Sequence, residues 1–441
     1  MNIKRVISMA AVASLGLTML ASCGDKADNG GDNDGKKTTL TVYTNRTDRV
    51  DDGTLDKLTD AFEKENNCEV KYIGITDYSK DIQTKMTSGD YGDVLGIPDE
   101  VKIEDLANYF EPLGTYDELS QKYYWTNKKM TSDKTVYGLA YGGNATGFVY
   151  NKKVWNDAGI TELPKTPEDF VNALKTIKEK NDKVIPFYTN FKDDWCTAQW
   201  DGIVIPASGS ASYKEDVVKD NKAFFDKDGG YYKTYKLMYD VYSEKDVLES
   251  DHSTTDWEKS KQYIADGNVA TICAGSWAIS QFQEKAKGHE DDIGYMPAPF
   301  TAADGKQYSV SSGDYCFGVS KNSKNKDLAK KYLEWYVSDS GFAASEGMIT
   351  TAKGKDLPEN LSSNGFTADM LLEEPLPEEK YVGKFDAIDN KSGVGASLTT
   401  ADNFKIRMAE AAFAGKGEDE FNKIVDETNK KWADGYAEIM K

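Results

Sequence analysis

The side chains able to do chemistry in this sequence are mostly carboxylates: 74 acidic residues stand against 54 basic ones, with two histidines among 441 residues. His252 and His289 both sit in polar surroundings that suggest surface. No serine occupies a nucleophile-elbow pattern, and no phosphate-binding loop occurs. Glycosidic hydrolysis needs only two carboxylates at a set separation, which a sequence does not measure, so counting leaves that chemistry open. Two polar loops gather groups suited to holding a ligand, Asn45 to Asp48 and Pro98 to Glu100. Arg46 can fork two hydrogen bonds to hydroxyls or to a carboxylate, and Asp48, Asp99 and Glu100 accept bonds from hydroxyl groups. Turn chemistry and solvation explain the same residues equally well.

The elements around these loops predict an α/β fold. Leu40, Val42 and Tyr43 make a first strand, and Leu55, Leu58, Ala61 and Phe62, three and four apart, form one face of a helix ending near Asn66. Val70, Tyr72 and Ile73 make a second strand, Tyr78 to Ser88 a second helix, and Val94 to Ile97 a third strand. Short connections of this kind make the strands parallel. In an open parallel sheet the ligand crevice lies beyond the carboxyl ends of the strands, which is where the two polar loops fall. Further on, Thr166 caps a helix, Pro167 takes its first position, and Phe170, Ala173, Leu174 and Ile177 form its buried face.

Composition narrows the partners. A formal charge of -20 repels phosphate backbones, so nucleic acid is not an expected partner. Asp28, Asp32 and Asp34 have calcium-loop spacing but lack the terminal glutamate and following helix, and no metal is expected. Cys68, Cys196, Cys273 and Cys316 are widely spaced without a metal-ligand pattern; their pairing stays undecided.

The stretch Thr135 to Asn151, TVYGLAYGGNATGFVYN, resembles the extracellular solute-binding proteins of ATP-driven sugar importers, the cluster that includes maltose-binding proteins. Tyr137 to Leu139 and Tyr150 to Lys152 match that family's crossing strand and the start of its second lobe. Trp155 to Ile160, Pro164 to Thr166, Glu168 to Phe170, Gly267 to Val269, Gly275 to Ala278, Ile293 to Pro299 and Lys324 to Tyr336 continue the likeness in order. The resemblance implies a two-lobed type II periplasmic-binding-protein fold with a hinge, and capture of a carbohydrate, an oligosaccharide by expectation, without catalysis. It also implies delivery to the permease subunits of an ABC importer. Residues 38–143 plus 293–337 are expected in the first lobe, and 144–292 plus 338–441 in the second. The crossings then fall near residues 142 to 146 and 290 to 296. A monomer without cofactor is expected.

A sugar offers C–H faces and a rim of hydroxyls, so its site needs flat rings and short-range donors and acceptors. Trp277 resembles the family's stacking tryptophan, and Trp195 stands in a loop that often carries a second plate there. Trp200, five residues on, is better suited to core packing. Tyr141 and Asn144 flank Gly142 and Gly143 at the first crossing as hinge or ligand contacts, and Asp314 and Tyr315 stand at the later return. Arg46 keeps a rival open, a binder of the same shape taking a peptide, polyamine or organic anion. A cell-surface glycan hydrolase is the other rival.

The beginning of the chain reads as an export signal. Lys4 and Arg5 precede a mostly apolar stretch from Val6 to Leu20, too short and interrupted to span a membrane comfortably. Leu20 to Cys23 resembles the bacterial lipoprotein processing site, which makes residues 1–22 the signal peptide and Cys23 the lipid-bearing residue. Residues 23–37, rich in Gly, Asp, Asn and Lys, form a flexible tether. The expected location is the outer face of the bacterial cytoplasmic membrane.

Overall fold

A computed structural model describes residues 37–98, 100–396, 400 and 402–441. The expected signal peptide, Cys23 and nearly all of the tether lie outside the described residues, as does Asp99. Among the described residues no helix is long and apolar enough to cross a membrane.

The first lobe grows from the predicted strand–helix alternation. Thr38–Thr44 pairs in parallel with Cys68–Gly74 on one side and Val94–Gly96 on the other, with Leu40 opposite Val70 and Val42 opposite both Tyr72 and Val94. Cys316–Val319 joins antiparallel to Val94–Gly96, and Leu139–Ala140 completes the five strands. The helix Thr54–Asn66 buries Leu55, Thr59 and Phe62, and Asn67 stops it in a left-handed conformation at φ 47°. The later helix Lys326–Ser338 presents Tyr332, Leu333 and Tyr336 to the same core, each such side chain contributing about 1.5–3 kcal/mol by leaving water.

A second sheet, Ile293–Met296, Phe148–Asn151 and Thr271–Cys273, is antiparallel throughout. It carries the second lobe. Thr166 caps the helix Pro167–Lys180 by accepting from the Asp169 amide at 3.1 Å, and Phe170, Ala173, Leu174 and Ile177 are buried as their spacing predicts. Trp200 is core, its indole donating to the Tyr242 hydroxyl at 3.2 Å. All four cysteines of the folded part are buried, and burial pushes the Cys196 and Cys273 thiols up.

Between the two lies a small third sheet of Gly143–Ala145, Ser309–Gly313 and Leu371–Leu372. These strands are the crossings. The return expected at residues 290 to 296 is displaced, because Ile293–Met296 is fully buried against Phe148–Asn151 in the second lobe. Pro297 and Pro299 end that ladder by removing its donors, and the chain crosses back through Ser309–Gly313. The tail also stays longer than expected with the first lobe: Phe342, Ala343, Met348 and Ala352 pack in its core.

Trp125 locks the crossings together. Its backbone takes φ 57°, its indole donates to the Ser311 carbonyl at 3.1 Å, and its amide donates to the Glu373 carboxylate at 2.6 Å. The ring lies flat on Gly143, where a Cβ would fall 2.0 Å from Cη2. Glycine is required there by contact alone.

Candidate ligand-binding cleft

A cleft of about 520 Å³ opens between the lobes. From the first lobe and the crossings come Arg46, Asp48, Arg49, Tyr141, Asp314, Glu346 and Met348; from the second come Glu258, Lys261, Trp277, Ser280, Gln281, Glu284 and Lys285. A larger groove of about 680 Å³ lies at the far end of the second sheet around Asn151, Val154, Ile177 and His289. No tryptophan, tyrosine or phenylalanine lines it, so the interlobe cleft is the better site for a molecule with flat apolar faces.

The first-lobe wall starts where the strand Thr38–Thr44 ends. The Arg46 amide donates to Thr44 Oγ1 at 3.1 Å, which turns the chain into the short helix Thr47–Asp51. The Arg46 guanidinium donates to both Asp48 oxygens at 3.0 and 2.8 Å and to Glu346 at 2.6 Å. Arg49 adds a bond to Glu346 at 2.7 Å. Burial alone would pull the Arg46 guanidinium down; its bonds to Asp48 and Glu346 outweigh that and raise it. The bond from Arg46 holds the Asp48 carboxyl below the usual range. Arg46 is therefore a neutralised strut, its fork already filled by carboxylates.

The floor is made by the crossings. Asn144 is buried and donates from Nδ2 to Asp314 Oδ2 at 3.1 Å, while its Oδ1 has no partner among the described residues. The other Asp314 oxygen accepts from the Tyr315 amide at 2.7 Å, and Lys128 anchors the turn through the Gly313 and Asp314 carbonyls at 2.6 and 2.9 Å. Burial, and then the nearby Asp314 charge, push the Tyr141 phenol up, so its hydroxyl stays protonated and able to donate. An unpartnered acceptor beside a carboxylate and a phenol is suited to a ligand rich in hydroxyls.

The second-lobe wall is aromatic. Trp277 precedes the helix Ala278–Lys285 and is bolted to a crossing through Ser276, which accepts from the Ala145 amide at 3.0 Å and donates its own amide to the Ala145 carbonyl at 2.8 Å. Gly275 lets the indole fold back, since a Cβ there would lie 2.6 Å from Trp277 Nε1. Trp195, 41% exposed, lies 5.8 Å from Trp277 between ring centres, and Trp257 touches both at 5.0 and 5.4 Å.

Of the residues expected at a site, Arg46, Asp48, Tyr141, Asp314 and Trp277 line this cleft, with Asn144 beneath it and Trp195 beside Trp277. Asn45 is half-buried behind Arg46 and is not part of the lining. Glu100 faces elsewhere, accepting from Ser79 at 2.8 Å on a shallow groove along the helix Tyr78–Ser88. Tyr315 turns toward Tyr78, ring centres 6.4 Å apart. Trp257, Glu258, Lys261 and Glu346 went unrecognised. Trp257 was findable, because it opens a helix directly after the Asp256 cap; Glu346, 300 residues from Arg46, was not.

The fold and the cleft together define a two-lobed solute-binding protein. Two solved structures from Bifidobacterium animalis subsp. lactis share its fold at TM-score 0.77. They are BlMnBP1, a binding protein of an ABC transporter, in complex with mannobiose (34% identity), and BlMnBP2, a manno-oligosaccharide-specific solute-binding protein, in complex with mannotriose (32%). Each comparison covers 91% of this chain and 95% of the other. The chain belongs to the bacterial extracellular solute-binding protein family, which it matches over residues 46–341. Among curated relatives, the diacetylchitobiose-binding protein DasA of Streptomyces coelicolor is 29% identical over 82% of this chain and 84% of its own. The multiple sugar-binding protein of Streptococcus mutans is 24% identical over 75% and 78%. The protein is a binder of the extracellular family and not an enzyme.

Proposed function

We propose that this protein captures an oligosaccharide in the interlobe cleft and delivers it to the permease of an ABC importer. The observation that carries the reading is the facing of the tryptophan wall by charges that are already paired with one another. Flat rings take the C–H faces of sugar units, while Asp314, Asn144 and Tyr141 take hydroxyls at the floor. Relatives named for diacetylchitobiose, multiple sugars, mannobiose and mannotriose support a neutral short oligosaccharide, with manno-oligosaccharides first in the panel. The paired state of Arg46 weighs against the organic-anion reading.

Binding works through closure. Ligand touches both walls only when the lobes shut, and that difference in contact shifts the population toward the closed form. The first lobe comprises roughly residues 38–142 and 313–352, and the second 146–308 and 371–441, divided where the chain passes through the third sheet. The protein acts as a monomer tethered at Cys23. Its lipid sits in the outer face of the cytoplasmic membrane, each buried methylene adding about 0.8 kcal/mol to anchoring.

Calorimetry against mannobiose, mannotriose, other neutral oligosaccharides, a sugar phosphate and a uronate tests this. Heat is expected with at least one neutral oligosaccharide and without product on long incubation. Trp277→Ala should weaken that binding by about 2 kcal/mol, a factor of about 30, with the far-ultraviolet circular dichroism unchanged. Binding of a charged solute with none of any neutral sugar would defeat the proposal.

A further inference from the structure

The three tryptophans of the second-lobe wall do not present themselves alike. Trp277 lines the cleft, while Trp195, exposed beside it, and half-buried Trp257 both stand outside the lining. One face of Trp257 is taken, because the Lys261 ammonium sits 5.5 Å from the ring centre while bonded to Glu258 at 2.7 Å. Phe282 meets it edge to face at 5.5 Å and 74°. The face that holds the cation is not available as a plate for a sugar. What remains of Trp257 is contact with the two plates themselves, at 74° to Trp195 and 50° to Trp277.

The backbone ties the same three elements together. The Trp257 amide donates to the Asp193 carboxylate at 3.1 Å, two residues before Trp195. The Lys192 amide donates to Thr255 Oγ1 at 2.9 Å, two residues before Trp257. Asp256 caps the helix Trp257–Ala265 by accepting from the Lys259 amide at 3.1 Å, fixing where the ring begins. The loop that carries Trp195 is thus stapled to the helix that carries Trp257, and Trp257 is wedged against the ring of Trp277. A plate on a short surface helix would otherwise lose rotamer freedom on binding, a cost that prior immobilisation removes.

We propose that Trp257 is the positioning residue of the sugar platform: it touches no ligand but fixes Trp195 and Trp277 in their mutual angle of 50°. Lys261, bonded to Glu258 at the cleft wall, holds one face of its ring. This rests on the oligosaccharide reading above and assigns a role to a ring that the cleft does not use directly.

The test is calorimetry with whichever neutral oligosaccharide the unmodified protein binds, on Trp257→Ala, Trp257→Phe and Trp277→Ala, alongside near-ultraviolet circular dichroism without ligand. Trp257→Ala should weaken binding about tenfold, since two ring contacts holding the plates are lost, and Trp257→Phe should recover most of it. The near-ultraviolet bands from the packed indoles should shrink in Trp257→Ala beyond the loss of one chromophore, because the two remaining rings become free to move. Undiminished affinity in Trp257→Ala, while Trp277→Ala loses it, would overturn the positioning role and leave the oligosaccharide reading standing. A Trp257→Phe variant that is folded yet as weak as Trp257→Ala would also overturn it. Failure of the unmodified protein to bind any neutral sugar strikes the proposed function instead.

Discussion

Gly143→Ala should destabilise the hinge, and the size of the effect follows from one contact. A methyl at this position would stand 2.0, 2.4 and 2.5 Å from three carbons of the Trp125 ring, against about 3.5–4.0 Å for comfortable carbon contacts. One side must give by roughly 1.5 Å. The ring has nowhere to go: its indole is bonded to Ser311, its amide to Glu373, and its Cβ already lies 3.1 Å from where a side chain on Gly313 would start. Gly313 is the register partner of Gly143, so the strand is equally confined. Overpacking of this kind costs about 1–3 kcal/mol, and the upper end applies where both partners are fixed. For a chain of this size that lowers Tm by roughly 3 °C. Trp125→Phe removes the outer ring carbons that clash, so the double variant should recover about 1–2 kcal/mol relative to the sum of the singles. Scanning calorimetry on the four proteins measures this. Strict additivity, or a Gly143→Ala protein as stable as the parent, would refute the account of Trp125 as the pin of the crossings.

Lys405 is fully buried, ion-paired with Asp201 and bonded to the Ala396 carbonyl at 2.6 Å, so Lys405→Met leaves a carboxylate without its cation. Asp201 keeps 29% of its side chain exposed, which places the cost at the low end, about 3 kcal/mol. Burial already raises the Asp201 carboxyl despite Lys405, and the variant raises it further. Its folded form then binds a proton that the unfolded chain releases near pH 4, so stability should fall as pH rises from about 4, where the parent falls less; urea melts from pH 4 to 8 showing the reverse slope would refute this. Glu346→Gln strips Arg46 and Arg49 of their shared carboxylate, and weak binding of a sugar phosphate should appear where the parent has none. Calorimetry in low salt decides, and a parent that binds the anion would refute the neutral-cleft reading.

Much of this was legible where local rules govern. The helix at Pro167–Lys180 follows from its cap, its proline and four apolar positions, and its packing repeats that spacing. The rule that ligands gather beyond the carboxyl ends of parallel strands delivered Arg46 and Asp48 to the cleft, yet failed for Glu100. The chain turns there beside the helix Tyr78–Ser88, and the carboxylate is taken by Ser79. The guanidinium of Arg46 predicts a fork to hydroxyls or a carboxylate. Its near partner, Asp48, is two residues away, while Glu346 is brought in only by the tail's return to the first lobe, which no local pattern announces. The misplaced crossing has a similar origin: the buried run Ile293–Met296 suits either lobe by composition, and only pairing with Phe148–Asn151 decides.

The site and the hinge share their atoms, and this bears on how a neutral ligand could drive closure. Asn144 belongs to one of the paired crossing strands, with Ser312 opposite it in register, and Asp314 directly follows the other, in the link from Ser309–Gly313 to Cys316–Val319. Trp277 hangs from the same strands through the two bonds between Ser276 and Ala145. A ligand that satisfies the orphan oxygen of Asn144 therefore acts on the crossings themselves, and one that loads Trp277 pulls on them through a single residue. Four cations and five carboxylates border the cleft, and the arginines among them spend their charge on neighbouring acids. Long-range attraction is thereby muted on the first-lobe wall. The preference for the closed form must then come from contacts that exist only when both walls meet the ligand, which is the condition under which binding shifts a conformational equilibrium at all.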